Sequence, residues 1–307
     1  MGRLILLGAT GVFGSLLERE LRSEVVVASR ATGADLRDPS SIARVARGAF
    51  AVLCAAGPFQ SFDPRCVRAV VEEGAHWLDI ADDPAWFFGL LDDRELDARA
   101  RERGVAVVSG LSTLPAISGM LVRSLISGGG TGASPVHRAD RRGRLSVTLG
   151  IGNRNAKGAG AIASAMSGDG RTIFTPDREL FRREGLDVRT FVKFQLPGAA
   201  MMFRIAKRLG VKPQTLGRIA KPISRFGTDA SYVEAIGPNG SARIDANGQR
   251  LAIVPIAAVA HRLLASAKLE GVLKPYEAIS DEELLNALRD AGASSSGAVR
   301  TSAAAPV

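Results

Sequence analysis

The sequence predicts an α/β protein in two parts: a doubly wound parallel sheet, then a second domain of mixed α/β character. Three observations predict it. Short aliphatic or β-branched runs alternate with helical stretches across residues 3–109. Three spaced glycines, Gly8, Gly11 and Gly14, directly follow the first apolar run. After Pro115 the rhythm changes, and Leu145, Val147 and Leu149 alternate with Ser146 and Thr148.

In order, the first domain should hold strands at 4–7, 25–28, 51–54, 77–80 and 105–108, and of these 4–7 and 25–28 are the nearly continuous apolar runs expected of strands buried on both faces of a parallel sheet. Helices fit between them at 12–22, 40–47, 64–73 and 86–103, the last with charges on its outer face. In the second domain a glycine-rich turn at 128–130 and a charged patch at 137–144 precede the alternating run 145–149, which reads as a half-exposed antiparallel strand. Residues 231–236 and 242–245 form a strand pair around Gly237-Pro238-Asn239-Gly240, whose Asn-Gly is a hairpin signal. Helices follow at 251–268 and 281–291, with Ser280 capping the second and Glu283 three residues on. The expected boundaries are 1–115 for the first domain, with 270–292 packing back on it, 116–269 for the second, and a disordered Ala/Ser-rich tail at 293–307.

Composition excludes several classes. Hydrophobic residues at 46% and charged residues at 23% are those of a folding globular chain, and 307 residues exceed what one core commonly organises. Two cysteines, Cys54 and Cys66, make a disulfide framework a poor fit and a reducing, cytoplasmic setting the expectation. The first strand begins at Leu4, so no leader is expected at this N-terminus. The longest apolar stretch, 251–260, contains Pro255 and falls short of the roughly 18 residues of a membrane span. The formal charge is +9, and residues 188–225 carry nine Lys or Arg and no Asp or Glu.

The glycine run has a specific chemistry. In Gly8-Ala9-Thr10-Gly11-Val12-Phe13-Gly14, the first glycine permits a tight turn, the second admits a pyrophosphate close to the backbone, and the third lets the helix pack against the sheet. The amides of the helix N-terminus then face the anion. A Rossmann-type dinucleotide site follows, with Gly8, Thr10, Gly11, Val12, Phe13 and Gly14 around the pyrophosphate. At the end of the second strand, where an NAD site places a carboxylate, stand Ser29 and Arg30. A guanidinium there suits a 2′-phosphate, so NADP(H) is favoured over NAD(H). Asp35 reads either as an acceptor for the adenine amine or as a loop cap. Ala56, Gly57, Pro58 and Phe59, after the third strand, leave space on the nicotinamide side.

These segments, with 52–59 and the run Glu73-Gly74-Ala75-His76-Trp77-Leu78-Asp79-Ile80-Ala81-Asp82-Asp83, resemble the N-terminal domain of the saccharopine dehydrogenase (reductase) superfamily. The run 271–277 is similar to the ending of its shorter members, and the middle of the chain carries no diagnostic motif. The resemblance implies NAD(P)-dependent redox chemistry, frequent dimerisation and hence an expected homodimer, and a small-molecule substrate from among amino-acid-derived imines, polyamine precursors and acyl chains.

Neither Tyr232 nor Tyr276 has Lys four residues on, which excludes the Tyr-Lys proton donor of short-chain carbonyl reductases. An imine that arrives protonated needs only positioning and hydride delivery, so C=N reduction fits best, with enoyl or carbonyl reduction beside it. Asp79 and Asp82 are the candidate catalytic carboxylates, set against a plain reading in which Asp79 caps a loop and Asp82-Asp83-Pro84 starts a helix. His76 lies at the wrong end of its strand for a site, and the histidines lack metal-ligand spacing. The basic segment 188–225 reads as a solvated face, as a guide for an acidic substrate or acyl-carrier protein, or as a surface lying on an anionic membrane. Nucleic acid is excluded as a partner by the 5% aromatic content and its poor interleaving with the charges. The remaining alternative is a non-catalytic NADP(H)-binding redox sensor on the same fold.

Overall fold

The computed structural model describes residues 2–127, 145–152, 154–155, 175–194, 199–211, 215, 227–238, 240–297 and 299. The expected turn at 128–130, the patch at 137–144, the end of the tail and much of the basic segment lie outside these residues. The chain divides into two units, Met1–Ser112 with Ala252–Ile279, and Thr113–Leu251 with Ser280–Val307. The segment that returns to the first unit is therefore 252–279 and not 270–292, and the helix expected to open at 281 belongs to the second unit.

The first unit is built on β1 (Leu4–Leu7), α1 (Val12–Leu21), β2 (Val25–Ala28), α2 (Pro39–Ala46), β3 (Ala51–Cys54), α3 (Arg65–Glu72), β4 (His76–Asp79), α4 (Pro84–Leu91), α5 (Arg94–Glu102) and β5 (Ala106–Val108). With elements numbered along the whole chain, the returning segment adds α9 (Val254–Leu264), β10 (Gly271–Leu273) and the short α10 (Pro275–Ala278). The strands lie in the order β2-β1-β3-β4-β5-β10, and all pairings are parallel. Strands β1 and β3 are buried throughout, as their apolar runs require, and β4 is buried throughout as well, with His76 and Asp79 at its ends hydrogen-bonded inside the fold. Strand β2 departs from the expectation of burial on both faces. It is the sheet edge, and Val26 is 50% exposed.

The single helix expected at 86–103 is two. Asp93 breaks it, because its carboxylate accepts the Leu96 N–H at 3.0 Å and caps α5 afresh. At the far edge of the sheet the Val272 N–H donates to the Asp97 carboxylate of α5 at 2.8 Å, fixing the sixth strand.

The second unit contains α6 (Ser118–Ser127), β6 (Leu145–Ile151), α7 (Pro176–Arg183), β7 (Val188–Phe194), α8 (Ala199–Arg208), β8 (Ala230–Gly237), β9 (Gly240–Asn247), α11 (Asp281–Asp290) and β11 (Ser294–Gly297). The strands run β11-β9-β8-β6-β7. Strand β6 is antiparallel to β8, as alternation suggested, and also parallel to β7, so the sheet is mixed. Gly237 pairs with Gly240, leaving a two-residue connection whose Asn239 lies outside the described residues. The Ser280 hydroxyl accepts the Glu283 N–H at 3.2 Å, as the capping pattern requires. The tail expected to be disordered from 293 instead supplies β11, which pairs antiparallel with β9. No helix among the described residues is long and apolar enough to cross a membrane.

Candidate functional site

The glycine run stands at the one position where a doubly wound sheet opens. From β1 the chain crosses to β2 on one side and, later, to β3 on the other, so the carboxyl ends of β1 and β3 flank the switch point. Gly8 follows β1 with φ +87°, and a Cβ on it would stand 2.5 Å from the Ala56 nitrogen beyond β3. At Gly14 a Cβ would stand 2.0 Å from the Gly8 carbonyl oxygen. Both positions therefore require glycine for contact, and together they press α1 and the β3 loop onto the turn. The Gly11 N–H closes that turn on the Gly8 carbonyl at 2.9 Å.

Gly11 is also the N-cap of α1, and it brings no capping side chain. No acidic residue follows in the first turn, so the positive end of the helix dipole is left uncompensated by the chain itself. Thr10 and Gly11 are exposed, and Val12 and Phe13 half-buried, with Gly14 beneath them. This is a cradle of backbone that an anion fits.

At the end of β2, Ser29 is half-buried and Arg30 exposed at the start of a short helical turn. The Ser29 N–H donates to the Thr32 hydroxyl at 2.8 Å, and the Ala34 N–H to the Ser29 carbonyl at 2.8 Å, which holds Arg30 at the tip. Among the described residues Arg30 forms no ion pair. Of its two readings Asp35 takes that of a loop cap, its carboxylate accepting the Arg37 N–H at 3.0 Å. Its carboxylate takes Arg37 Nε at 2.9 Å and Nη2 at 2.6 Å, and that pairing holds its pKa down at about 2. The pair contributes a second guanidinium to this end of the sheet, 60% exposed.

Beyond β3, Ala56 and Pro58 are half-buried and Gly57 is exposed. Phe59 is corrected from a cofactor-facing residue to an anchor. It is 7% exposed, and its ring lies 5.4 Å from Trp86 and 5.8 Å from Phe62. The rim on this side is thus Ala56, Gly57 and Pro58.

The candidate catalytic carboxylates separate. Asp79 is fully buried at the end of β4. Its Oδ2 accepts the indole N–H of Trp77 at 2.8 Å and of Trp86 at 2.9 Å, while Oδ1 accepts Ala81 N–H at 2.9 Å, Ser109 Oγ–H at 2.7 Å and Gly110 N–H at 3.1 Å. Burial pushes its pKa up, and hydrogen bonds from these donors oppose that rise. With both oxygens so engaged, Asp79 is the fastener that joins β4, α4 and the chain after β5, not a proton carrier. Asp83 also fastens the chain, accepting the Trp86 N–H at 2.8 Å as the N-cap of α4 and the Gln60 side-chain amide at 2.8 Å. Asp82, half-buried between the two, keeps its place as a candidate at the strand end. The roles of Trp77, Trp86 and Gln60 were missed by sequence reasoning; an indole two residues before a strand-end aspartate was the available signal.

His76 sits at the opposite, amino end of β4. Its Nδ1 accepts the Ala106 N–H at 2.9 Å, and burial holds its pKa down at about 4, so it is a neutral structural group. Cys54 and Cys66 are both buried free thiols, and burial raises both, Cys66 to about 12. Among the described residues no cluster could hold a metal ion.

Fold and site together define a two-unit α/β protein whose first unit has dinucleotide-type topology. Its structure is similar to that of saccharopine dehydrogenase (L-Glu forming) from Saccharomyces cerevisiae, with a TM-score of 0.56 at 12% identity, covering 97% of this chain and 100% of that one. The fold is therefore of the saccharopine dehydrogenase type. An engineered D-amino acid dehydrogenase bound to NADP+ aligns with a TM-score of 0.47 at 12% identity, over 92% of this chain and 95% of that one. By sequence, 115 residues are 34% identical to a protein of Caenorhabditis elegans called lipid droplet localized protein, over 34% of this chain. The match spans 26% of that relative's length. No family model matches the chain.

Proposed function

We propose that this protein is an NADP(H)-dependent oxidoreductase that transfers hydride to a C=N bond of an amino-acid-derived substrate, with enoyl or carbonyl groups of acyl substrates as the neighbouring chemistry. The observation that carries the reading is the uncapped α1 terminus behind Gly8 and Gly14, at the switch point of a parallel sheet. A pyrophosphate takes the α1 amides at Val12 and Phe13 as partners, replacing the missing cap, while the Gly11 N–H stays on the Gly8 carbonyl and holds the turn. Arg30, with Ser29 beside it, meets a 2′-phosphate, and a charge-assisted contact of this kind contributes about 1.5–3 kcal/mol. Ala56, Gly57 and Pro58 leave room for the nicotinamide ribose.

The bound cofactor supplies the hydride. What the chain supplies is position, and the engagement of Asp79 with five donors bears on which substrate suits it. A protonated imine accepts hydride at carbon while its nitrogen retains the C–N π electrons as a lone pair, so no side-chain acid is consumed. The fold shared with saccharopine dehydrogenase supports the same substrate class. The same saturation of Asp79 favours one other reading, a sensor that binds NADP(H) without turnover.

Deuteride transfer separates the two. With NADPH deuterated at C4 and a panel of imines formed from aldehydes and amino acids, an oxidoreductase places one deuterium in the amine product, read by mass spectrometry. Tight NADPH binding with no label transferred to imine, enoyl or carbonyl acceptors would assign the sensor.

A further inference from the structure

Helix α8 carries an apolar stripe on its outside. Met201, Ile205 and Leu209 are 57%, 51% and 73% exposed, three of the five exposed large hydrophobic residues among those described. They recur every four residues, so each lies about 40° round from the last and the three line one side. Leu209 prolongs the helix by one position, its N–H donating to the Ile205 carbonyl at 3.0 Å. Ala206, on the other side, is 6% exposed, so the helix has an inner face and the stripe is not it. Arg204 and Arg208 are exposed and sit one turn apart along the edge of the stripe. A stripe of this kind, exposed and rimmed by cations, marks an interaction surface.

We propose that α8 docks this protein on an anionic lipid surface, with Met201, Ile205 and Leu209 entering the headgroup layer and Arg204 and Arg208 meeting lipid phosphates. Charge complementarity selects this occupant. Residues 188–225 hold nine cations and no acidic residue, and the whole chain is +9, so a negative surface attracts this region from a distance. A second copy of the chain is a poor occupant, because a two-fold contact through this stripe would set Arg204 and Arg208 of one copy against those of the other. The pattern itself, aliphatic residues on one side and arginines at their edge, is that of a helix lying in an interface, where the arginine stems follow the apolar surface and the guanidiniums reach the phosphates.

Flotation of the full chain with vesicles tests this. Wild type should float with phosphatidylcholine vesicles containing a quarter phosphatidylglycerol, and at least about tenfold less with phosphatidylcholine alone. Met201→Ser/Ile205→Ser/Leu209→Ser and Arg204→Glu/Arg208→Glu should each lose at least about tenfold of the floated fraction while keeping the wild-type melting temperature. Circular dichroism of both variants confirms that the fold is retained. Equal flotation by the serine variant, or no flotation by wild type, overturns the proposal. So does self-association of lipid-free wild type that the serine variant abolishes, which gives the stripe to a second copy. Binding of wild type to polyglutamate but not to anionic vesicles gives it to an acidic protein.

Discussion

Replacing Gly11 by aspartate separates stability from nucleotide binding in one variant. Gly11 is the N-cap of α1, with φ −84° and ψ 173°, a conformation open to any residue. A Cβ there would stand 3.2 Å from the Gly8 carbonyl oxygen, a contact relieved by a shift of a few tenths of an ångström. Aspartate is among the best N-caps, and it gains a few tenths of a kcal/mol over glycine, with about 0.3–1 kcal/mol more from the helix dipole. Set against the tight contact, the expected change in stability is between zero and about +1 kcal/mol. Binding should move the other way. A carboxylate about 4 Å from a phosphate charge costs roughly 4 kcal/mol at an effective dielectric near 20, close to a thousandfold in affinity. Thermal unfolding and NADPH titration by calorimetry, on the same preparation, read both quantities. A variant that melts no lower than wild type yet binds at least about a hundredfold more weakly fits the reasoning. A dissociation constant within about threefold of wild type would place the phosphates elsewhere.

Three further outcomes follow from the same geometry. Asp79→Asn offers one oxygen where two serve five donors, so at least two buried donors lose their acceptor, and the cost should be roughly 3–5 kcal/mol in chemical denaturation; wild-type stability with lost turnover would return Asp79 to catalysis. His76 is held at about 4 in the fold against 6.5 when free, so the unfolded chain binds the extra proton between those values. The contribution of this group is complete above about pH 6.5 and falls as pH drops, by roughly 2–3 kcal/mol at about pH 4.5; His76→Gln should flatten that part of the urea-midpoint profile, and an unchanged profile would contradict the assignment. Arg30→Glu should lower the NADPH to NADH affinity ratio by at least about tenfold, and an unmoved ratio would remove Arg30 from 2′-phosphate recognition.

Much of the first unit was legible because its signals are local. Strands β1, β2, β3 and β5 are short apolar runs, β4 holds Trp77-Leu78 between His76 and Asp79, and the glycines of the first turn are demanded by contacts measurable at Gly8 and Gly14. The break between α4 and α5 was not, since Asp92-Asp93 interrupts the helix only through the capping bond of Asp93. In the second unit, β7 lies in a segment whose charge hides its alternation, and β11 is Ser-Ser-Ser-Gly, a composition with poor strand preference that pairs because β9 presents an edge. The site divides along the same line. Backbone features such as the uncapped helix could be read from residue order, and so could the Asp35–Arg37 pair, two residues apart, whereas the duties of Asp79 and Phe59 depend on Trp86 and Ser109, which only the fold brings into reach.

The most direct measurement is titration of the wild-type protein with NADPH, followed by intrinsic and cofactor fluorescence. Saturable binding at one nucleotide per chain, tighter for NADPH than for NADH, is the expected result. If neither nucleotide binds, the turn between β1 and α1 is a packing device, and the oxidoreductase reading falls with it.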